Sequence, residues 1–374
     1  GLTFFPTNYS LTFSLKNPPT TSSYENILFR PLSEGLPVPT PIDPSNPSGI
    51  IFSEALDYRS GCLQQINLTV EKEFTGNVMR ISYVGELGRH LAQVLPDINV
   101  APPSPLPDPR SRSPFARTLP NVSTLRFAQS KGSSAYHALQ ASFERRNKAG
   151  LTLGANYTLA HNIDDIVNLS NFTSLGFGVV PGEVDTLDRG NADLDVRHRF
   201  VLMANYEFPF GKSLKGSKGI LLRGWQINGI GVYQSGLPFS IMNNIPMSNT
   251  GANLTLGYSD RPDRIKGGRL AHPTLNEYFD TSAFVAQPFG TVGNSGRNIL
   301  FGPSFKTISM SLFKQFDLKE SWHLQFRAEC YNISNTPSFG NPNGALGAPG
   351  FGTISSMNAN YTPRLFQFAL KLLF

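Results

Sequence analysis

Long segments of strict two-residue alternation, joined by links that are by turns short and long, restrict this 374-residue chain more than any other feature. Residues 150–160 set Leu151, Leu153, Ala155, Tyr157 and Leu159 against Thr152, Gly154, Asn156 and Thr158. Residues 62–73 set Ile66, Leu68 and Val70 against Gln65, Asn67, Thr69 and Glu71. Residues 196–208 set Phe200, Leu202, Ala204, Tyr206 and Phe208 against Arg197, Arg199, Asn205 and Glu207. Residues 321–332 set Trp322, Leu324, Phe326, Ala328 and Cys330 against His323, Gln325, Arg327 and Glu329. The last segment, 363–374, sets Phe366, Phe368, Leu370, Leu372 and Phe374 against Gln367, Ala369 and Lys371. A period of two means a strand whose faces meet different environments. Weaker segments at 77–86, 134–146, 222–238 and 304–316 make nine strands, and a tenth is expected within 4–16. At roughly 10–13 residues they exceed the usual globular strand of about 5–6. They match the roughly 9–11 residues that cross a bilayer at a tilt.

Only a few residues follow positions 73, 146 and 316 before the next strand begins, and the link 211–221 is modestly longer. The other links, 87–133, 163–195, 239–303 and 333–363, are long. A bacterial outer-membrane barrel has short periplasmic turns and longer extracellular loops, whereas a soluble sandwich has no reason to alternate. The predicted fold is therefore all-β, an antiparallel transmembrane β-barrel portion of about 9–10 long meander strands. Strand 321–332 then runs outward and the last strand runs back, so Phe374 reaches the periplasmic interface, where an aromatic girdle belongs.

Composition agrees. Charged residues are 16% of the chain, against roughly 25% in ordinary soluble domains. No apolar run is long enough for a transmembrane helix, which says nothing about barrels. The opening "GLTFFPTNYS" has no start Met and no basic leader, so the N-terminus is expected to be processed or missing. Cys62 and Cys330 are the only cysteines, which excludes a disulfide framework and a cysteine-rich zinc site. The net charge is +6, but Lys and Arg are scattered, the densest group being Arg145, Arg146 and Lys148, so nucleic acid is not an expected partner.

Five stretches resemble the barrel of Oar-like TonB-dependent outer-membrane receptors, abundant in Acidobacteria and related Gram-negative bacteria. They are "YHALQASFERRNKAGLTLGANYTLAHNIDD" (136–165), "DVRHRFVLMANYEFPFGK" (195–212), "GWQINGIGVYQSGLPFSI" (224–241), "FDTSAFVAQPFGTVGNSGRNILFGPSF" (279–305) and "LQFRAECYNISNTPSFGNP" (324–342). The resemblance runs from about residue 55 to the end. It implies energised uptake of a bulky extracellular ligand across the cell outer membrane, with the TonB complex acting through a plug. It also implies that Phe366, Phe368, Leu370, Leu372 and Phe374 form the C-terminal signal read by the barrel-assembly machinery. Such receptors have about 22 strands, a plug and an N-terminal regulatory-like domain. Residues 1–374 are thus expected to be the C-terminal portion of such a barrel, without plug or regulatory domain. On its own it should not transport. An open half-barrel is expected, with 363–374 as an exposed edge.

No catalytic constellation is found, so an enzyme is not expected, and no cofactor or metal is implied. The acidic stretch "GEVDTLDRGNADLDVRHR" (182–199) lacks the spacing of a calcium loop and reads as a solvated loop entering a strand. The six histidines are dispersed, without metal-ligand spacing. Arg197, Arg199, Glu207, Gln325, Arg327 and Glu329 are candidates to face the lumen, where they would pack a plug or simply form the polar interior of a large barrel. The long loops, above all 239–303, are candidates to capture ligand. Two other readings stand beside the receptor: a plug-less porin-like barrel, and a secreted structural or adhesive β-protein whose apolar faces would meet a second sheet.

Overall fold

The computed structural model describes residues 2–5, 49–95, 97–166, 185–211, 213–214, 216–251, 260–318, 322–359 and 361–374. Its strands, in chain order, are β1 (Leu2–Phe5), β2 (Gly49–Glu54), β3 (Gly61–Phe74), β4 (Asn77–Leu95), β5 (Val122–Lys148), β6 (Leu151–Asp164), β7 (Gly190–Asn191), β8 (His198–Glu207) and β9 (Trp225–Gln234). There follow β10 (Pro238–Phe239), β11 (Met242–Asn243), β12 (Asp263–Arg264), β13 (Phe284–Val285), β14 (Leu300–Phe301), β15 (Phe305–Asp317), β16 (His323–Tyr331), β17 (Ala345–Leu346) and β18 (Leu365–Leu373). One large sheet runs in the order β1-β3-β4-β5-β6-β8-β9-β15-β16-β18. Each long strand pairs antiparallel with the next long strand in sequence. The expected meander is the observed one.

Register explains how one face becomes apolar throughout. Leu68 lies opposite Tyr83, Tyr83 opposite Leu139 and Leu139 opposite Leu159. Farther along, Ala204 lies opposite Leu153 and Gly229, Met310 opposite Gly229 and Cys330, and Cys330 opposite Phe366. Directly opposed residues share a face, so no strand in this chain of pairs presents its apolar set to the wrong side. Phe368 is 68% exposed and Leu202 39%, and Leu153 and Phe326 are half-buried rather than buried. No second sheet covers them among the described residues, which removes the sandwich reading. In water so broad an apolar surface is a hazard; in a bilayer it is the lipid-facing surface.

Aromatic side chains mark both borders of this band. At the short-link end, Phe208 meets Tyr206 edge to face and Phe210 at a tilt, at 5.1 and 4.9 Å between ring centroids. Trp322 lies 5.8 Å from Phe374. Toward the long-loop end, Tyr83 and Tyr157 each place a hydroxyl 2.8 Å from the Nδ1 of a neighbouring-strand histidine, His137 and His198. Rings with an apolar body and a polar tip suit the boundary between hydrocarbon and water.

Three expectations change. First, β4 and β5 are 19 and 27 residues long and occupy much of the expected loop 87–133. They run past the apolar band because the hairpin keeps pairing in water, with register shifts at Gly88/Leu91 and Leu91/Gln93. Second, β2 pairs parallel with β5, a contact outside the meander. It covers an outer segment whose Val122, Leu125 and Ala128 are buried. Third, of the tenth strand expected within 4–16 only Phe4 and Phe5 are described, within β1, which pairs with β3; the rest lies outside the described residues. Among the described residues the sheet is open, with β1 and β18 at its two edges, and the last strand is an exposed edge as expected.

Face identity predicts asymmetric tolerance to charge. Leu202→Arg, on the apolar face at mid-strand, is expected to cost about 2–4 kcal/mol. Asn205→Arg, on the polar face, is expected to cost within about 0.5 kcal/mol. Urea unfolding of the vesicle-inserted protein, followed by heat-modifiable gel mobility, measures both; equal costs would contradict the assignment of faces.

Candidate functional site: stapled outer loops above a polar face

The long links gather at one end of the sheet, and a hydrophobic core holds them together there. Phe239, Ile241, Phe279, Ala283, Phe284 and Leu300 are buried, with Ile299 and Phe351 packed against them. Phe279 meets Phe284 and Phe351 edge to face, at 5.9 and 5.2 Å. The described residues of the link 239–303 are therefore a packed unit. Its short pairs β10–β14, β11–β17 and β12–β13 knit this link to itself and to the link after β16.

Buried arginines fasten the neighbouring links to that unit. Arg297 pairs with Asp164 at the end of β6 and donates to the carbonyls of Ile166 and Asn191, at 2.7 and 3.3 Å. Burial pulls its guanidinium down to about 10, still fully charged at neutral pH. Arg261 has no exposed surface and pairs with Asp188 at 3.0 Å. Burial lowers its pKa, and Asp188 opposes the shift. Asn298 donates to Asp193 Oδ1 at 2.7 Å and to the Asn191 carbonyl at 2.8 Å. Asp195, 1% exposed, accepts from the Asn162 N–H and from Arg197 Nε, both at 2.8 Å. The acidic stretch is solvated only in part: Asp193 and Leu194 are exposed, whereas Asp195 is buried. Asp188 and Asp193 are held by Arg261 and Asn298 from the link 239–303, and Asp195 by Asn162 of β6 and nearby Arg197, because a buried carboxylate persists only when paired or hydrogen-bonded.

A third link joins from the other side. Arg112 donates to the carbonyls of Pro102 and Asn249, at 2.7 and 2.8 Å. Asn249 in turn donates to the carbonyls of Ser104 and Leu106, at 2.9 and 2.7 Å. Beneath, Asp260 accepts from the Ser248 N–H and hydroxyl at 2.6 Å each. Burial raises the Asp260 pKa, against the lowering effect of those bonds. The assembled surface shows basic Arg264, Lys266, Arg269 and His272 and apolar Leu106, Ile245 and Phe289 to solvent.

Below the loops, register puts Arg199, Glu207, Gln325, Arg327 and Glu329 on the face opposite the apolar band, together with Thr152, Asn156, Asn205 and Asn228. Arg327 donates to Gln325 at 2.7 Å and lies 4.8 Å from the Phe313 ring centre. Glu329 accepts from the Tyr331 hydroxyl at 3.0 Å. Gln325 and Arg327 thus come together and Glu329 shares their face of β16, whereas Arg199 and Glu207 sit at opposite ends of β8. Arg197 precedes β8 and is held in the loop cluster by Asp195 and Asn191. A hollow of about 540 Å³ opens on this face, with Thr152, Asn205, Asn228, Ser311 and Glu329 in its wall. Arg261, Arg297 and Asn298 were not legible as site residues. Their only signal is charge or amide in loop sequence that is otherwise small, such as "NSGRN" (294–298).

A family model described as an outer membrane beta barrel domain matches residues 1–367. The outer membrane transporter YddB from Escherichia coli is 10% identical, with a TM-score of 0.46 over 88% of this chain and 34% of that one. The FrpB iron transporter (F3-3 variant) from Neisseria meningitidis is 11% identical, with a TM-score of 0.41 over 86% and 32%. The ferripyoverdine receptor of Pseudomonas aeruginosa is 10% identical, with a TM-score of 0.43 over 84% and 27%. This chain therefore spans about a third of the length of these solved structures. No curated protein matches it.

Two outcomes are expected of the loop cluster. Arg297→Met leaves Asp164 without its cation and should cost the cluster about 3–5 kcal/mol, read as faster proteolysis within 235–303 with the sheet intact. Because Asp260 holds its proton more tightly folded than unfolded, its contribution is fully present below 3.8 and is lost as pH rises through and above that value. Asp260→Asn should remove this part of the pH dependence; an unchanged profile of protease protection would contradict the burial effect.

Proposed function

The chain belongs to the outer membrane beta barrel domain family and resides in the outer membrane, and from that premise we propose that residues 1–374 are the C-terminal part of the barrel of an Oar-like TonB-dependent receptor. One observation carries the reading: the long links are packed and stapled at one end of a one-sided sheet, above a polar inner face. In this reading the loop cluster captures a bulky extracellular ligand. Arg199, Glu207, Gln325, Arg327 and Glu329 line the lumen against a plug supplied by the rest of the receptor. The TonB complex acts through that plug, and the barrel-assembly machinery reads the strand ending in Phe374. A preorganised loop surface suits capture, since ordering the loops beforehand removes that cost from binding.

Liposomes bearing the full-length receptor test gating. A plugged receptor should leave them impermeable to small sugars, and an ungated pore would make them swell. Swelling would favour the porin-like alternative. Phe374→Ala should reduce the heat-modifiable protein recovered from outer membranes severalfold; undiminished recovery would remove Phe374 from the assembly signal.

A further inference from the structure

One short-side link is unlike the others. Between β8 and β9, residues 208–224 carry Lys212, Lys215, Lys218 and Arg223 and no acidic residue. A short helix, α1 (Gly216–Leu222), occupies its second half. Phe210, Ile220, Leu221 and Leu222 all expose large apolar side chains, Leu221 to 68%. Lys218 is exposed beside them.

The position of α1 is fixed by Lys314, a lysine on the apolar face of β15. Register places Lys314 opposite Trp225 and Phe326, in the same row as Leu312 and Phe316. It is only 2% exposed. Its Nζ donates to the carbonyls of Ile220, Arg223 and Gln315 and sits 4.5 Å from the centre of the Phe316 ring. Trp225 Nε1 donates to the Leu221 carbonyl at 2.9 Å. A lysine on the last carbonyls of a helix satisfies groups that have no intrahelical partner. Because both anchors belong to the apolar face, α1 lies outside the sheet, level with the border of the lipid-facing band, and not beneath the lumen.

We propose that α1, with Phe210 beside it, forms an interfacial anchor for anionic phospholipid in the periplasmic leaflet. Its exposed Ile220, Leu221 and Leu222 enter the acyl boundary beside Trp225, and exposed Lys218 faces the lipid phosphates, whereas Arg223 is engaged with Asp317 at the end of β15. Apolar side chains beside a cation, in a link whose sequence carries no acid, suit such a surface. The site is continuous with the lipid-facing band, so the apolar area is not left in water. The proposal rests on the short links being periplasmic.

The full-length receptor, with Cys62→Ser and Cys330→Ser, is labelled at Leu221→Cys with an environment-sensitive fluorophore. It is placed in vesicles of phosphatidylethanolamine and phosphatidylglycerol, or of phosphatidylcholine alone. Emission should be quenched by a nitroxide near the lipid glycerol and little by aqueous iodide. The fraction of spin-labelled phosphatidylglycerol immobilised by the protein should exceed that of spin-labelled phosphatidylcholine. Lys218→Glu should reduce this preference, by up to about fivefold for the charge removed, while heat-modifiable mobility shows the barrel folded. Efficient iodide quenching, or an unchanged lipid preference in the folded variant, would overturn the proposal. Labelling of Leu221→Cys in intact cells by a membrane-impermeant maleimide would instead overturn the orientation on which it rests.

Discussion

In hydrocarbon a backbone amide has no water to fall back on, and everything in this structure follows from that. Each strand must pair along its whole membrane-crossing length, and once paired it cannot slip. A slip of one residue would carry Leu151, Leu153 and Tyr157 to the polar face and Thr152 and Asn156 into lipid. Long strands, regular ladders and one apolar surface shared by successive strands are consequences of the same constraint. Its force ends where water begins. Beyond the apolar band the β4–β5 pairing develops register shifts, and β5 accepts a parallel partner, β2.

At the outer end the physics inverts. There the links build a small aqueous core of their own, with Phe279 at its centre, and hold it with charges that are buried and paired. Arg261 and Arg297 join links that are distant in sequence, Arg297 reaching Asp164 across 133 residues. Such pairs contribute little net stability compared with apolar replacements, but breaking one leaves an isolated charge, so they penalise alternative arrangements of the loops.

At the short-link end Lys314 stands on the apolar face yet is buried and paired. A cation there is tolerated because helix carbonyls and aromatic faces take up its charge. The same lysine therefore fixes where the link carrying α1 lies.

Alternation by itself determined the strand class, the pairing order and the two faces, because a period of two is written residue by residue in segments such as 150–160 and 364–374. Link lengths determined which end carries the loops. Only the tertiary structure decided how far β4 and β5 continue, that β2 joins β5 in parallel, and that Asp188, Asp193 and Asp195 are hydrogen-bonded into the loop cluster. The β2 pairing and the bonds of Asp188 and Asp193 rest on partners more than about seventy residues away, Arg261 for Asp188 and Asn298 for Asp193. A local pattern records which solvent a side chain prefers; it does not record which distant residue will come to neutralise it.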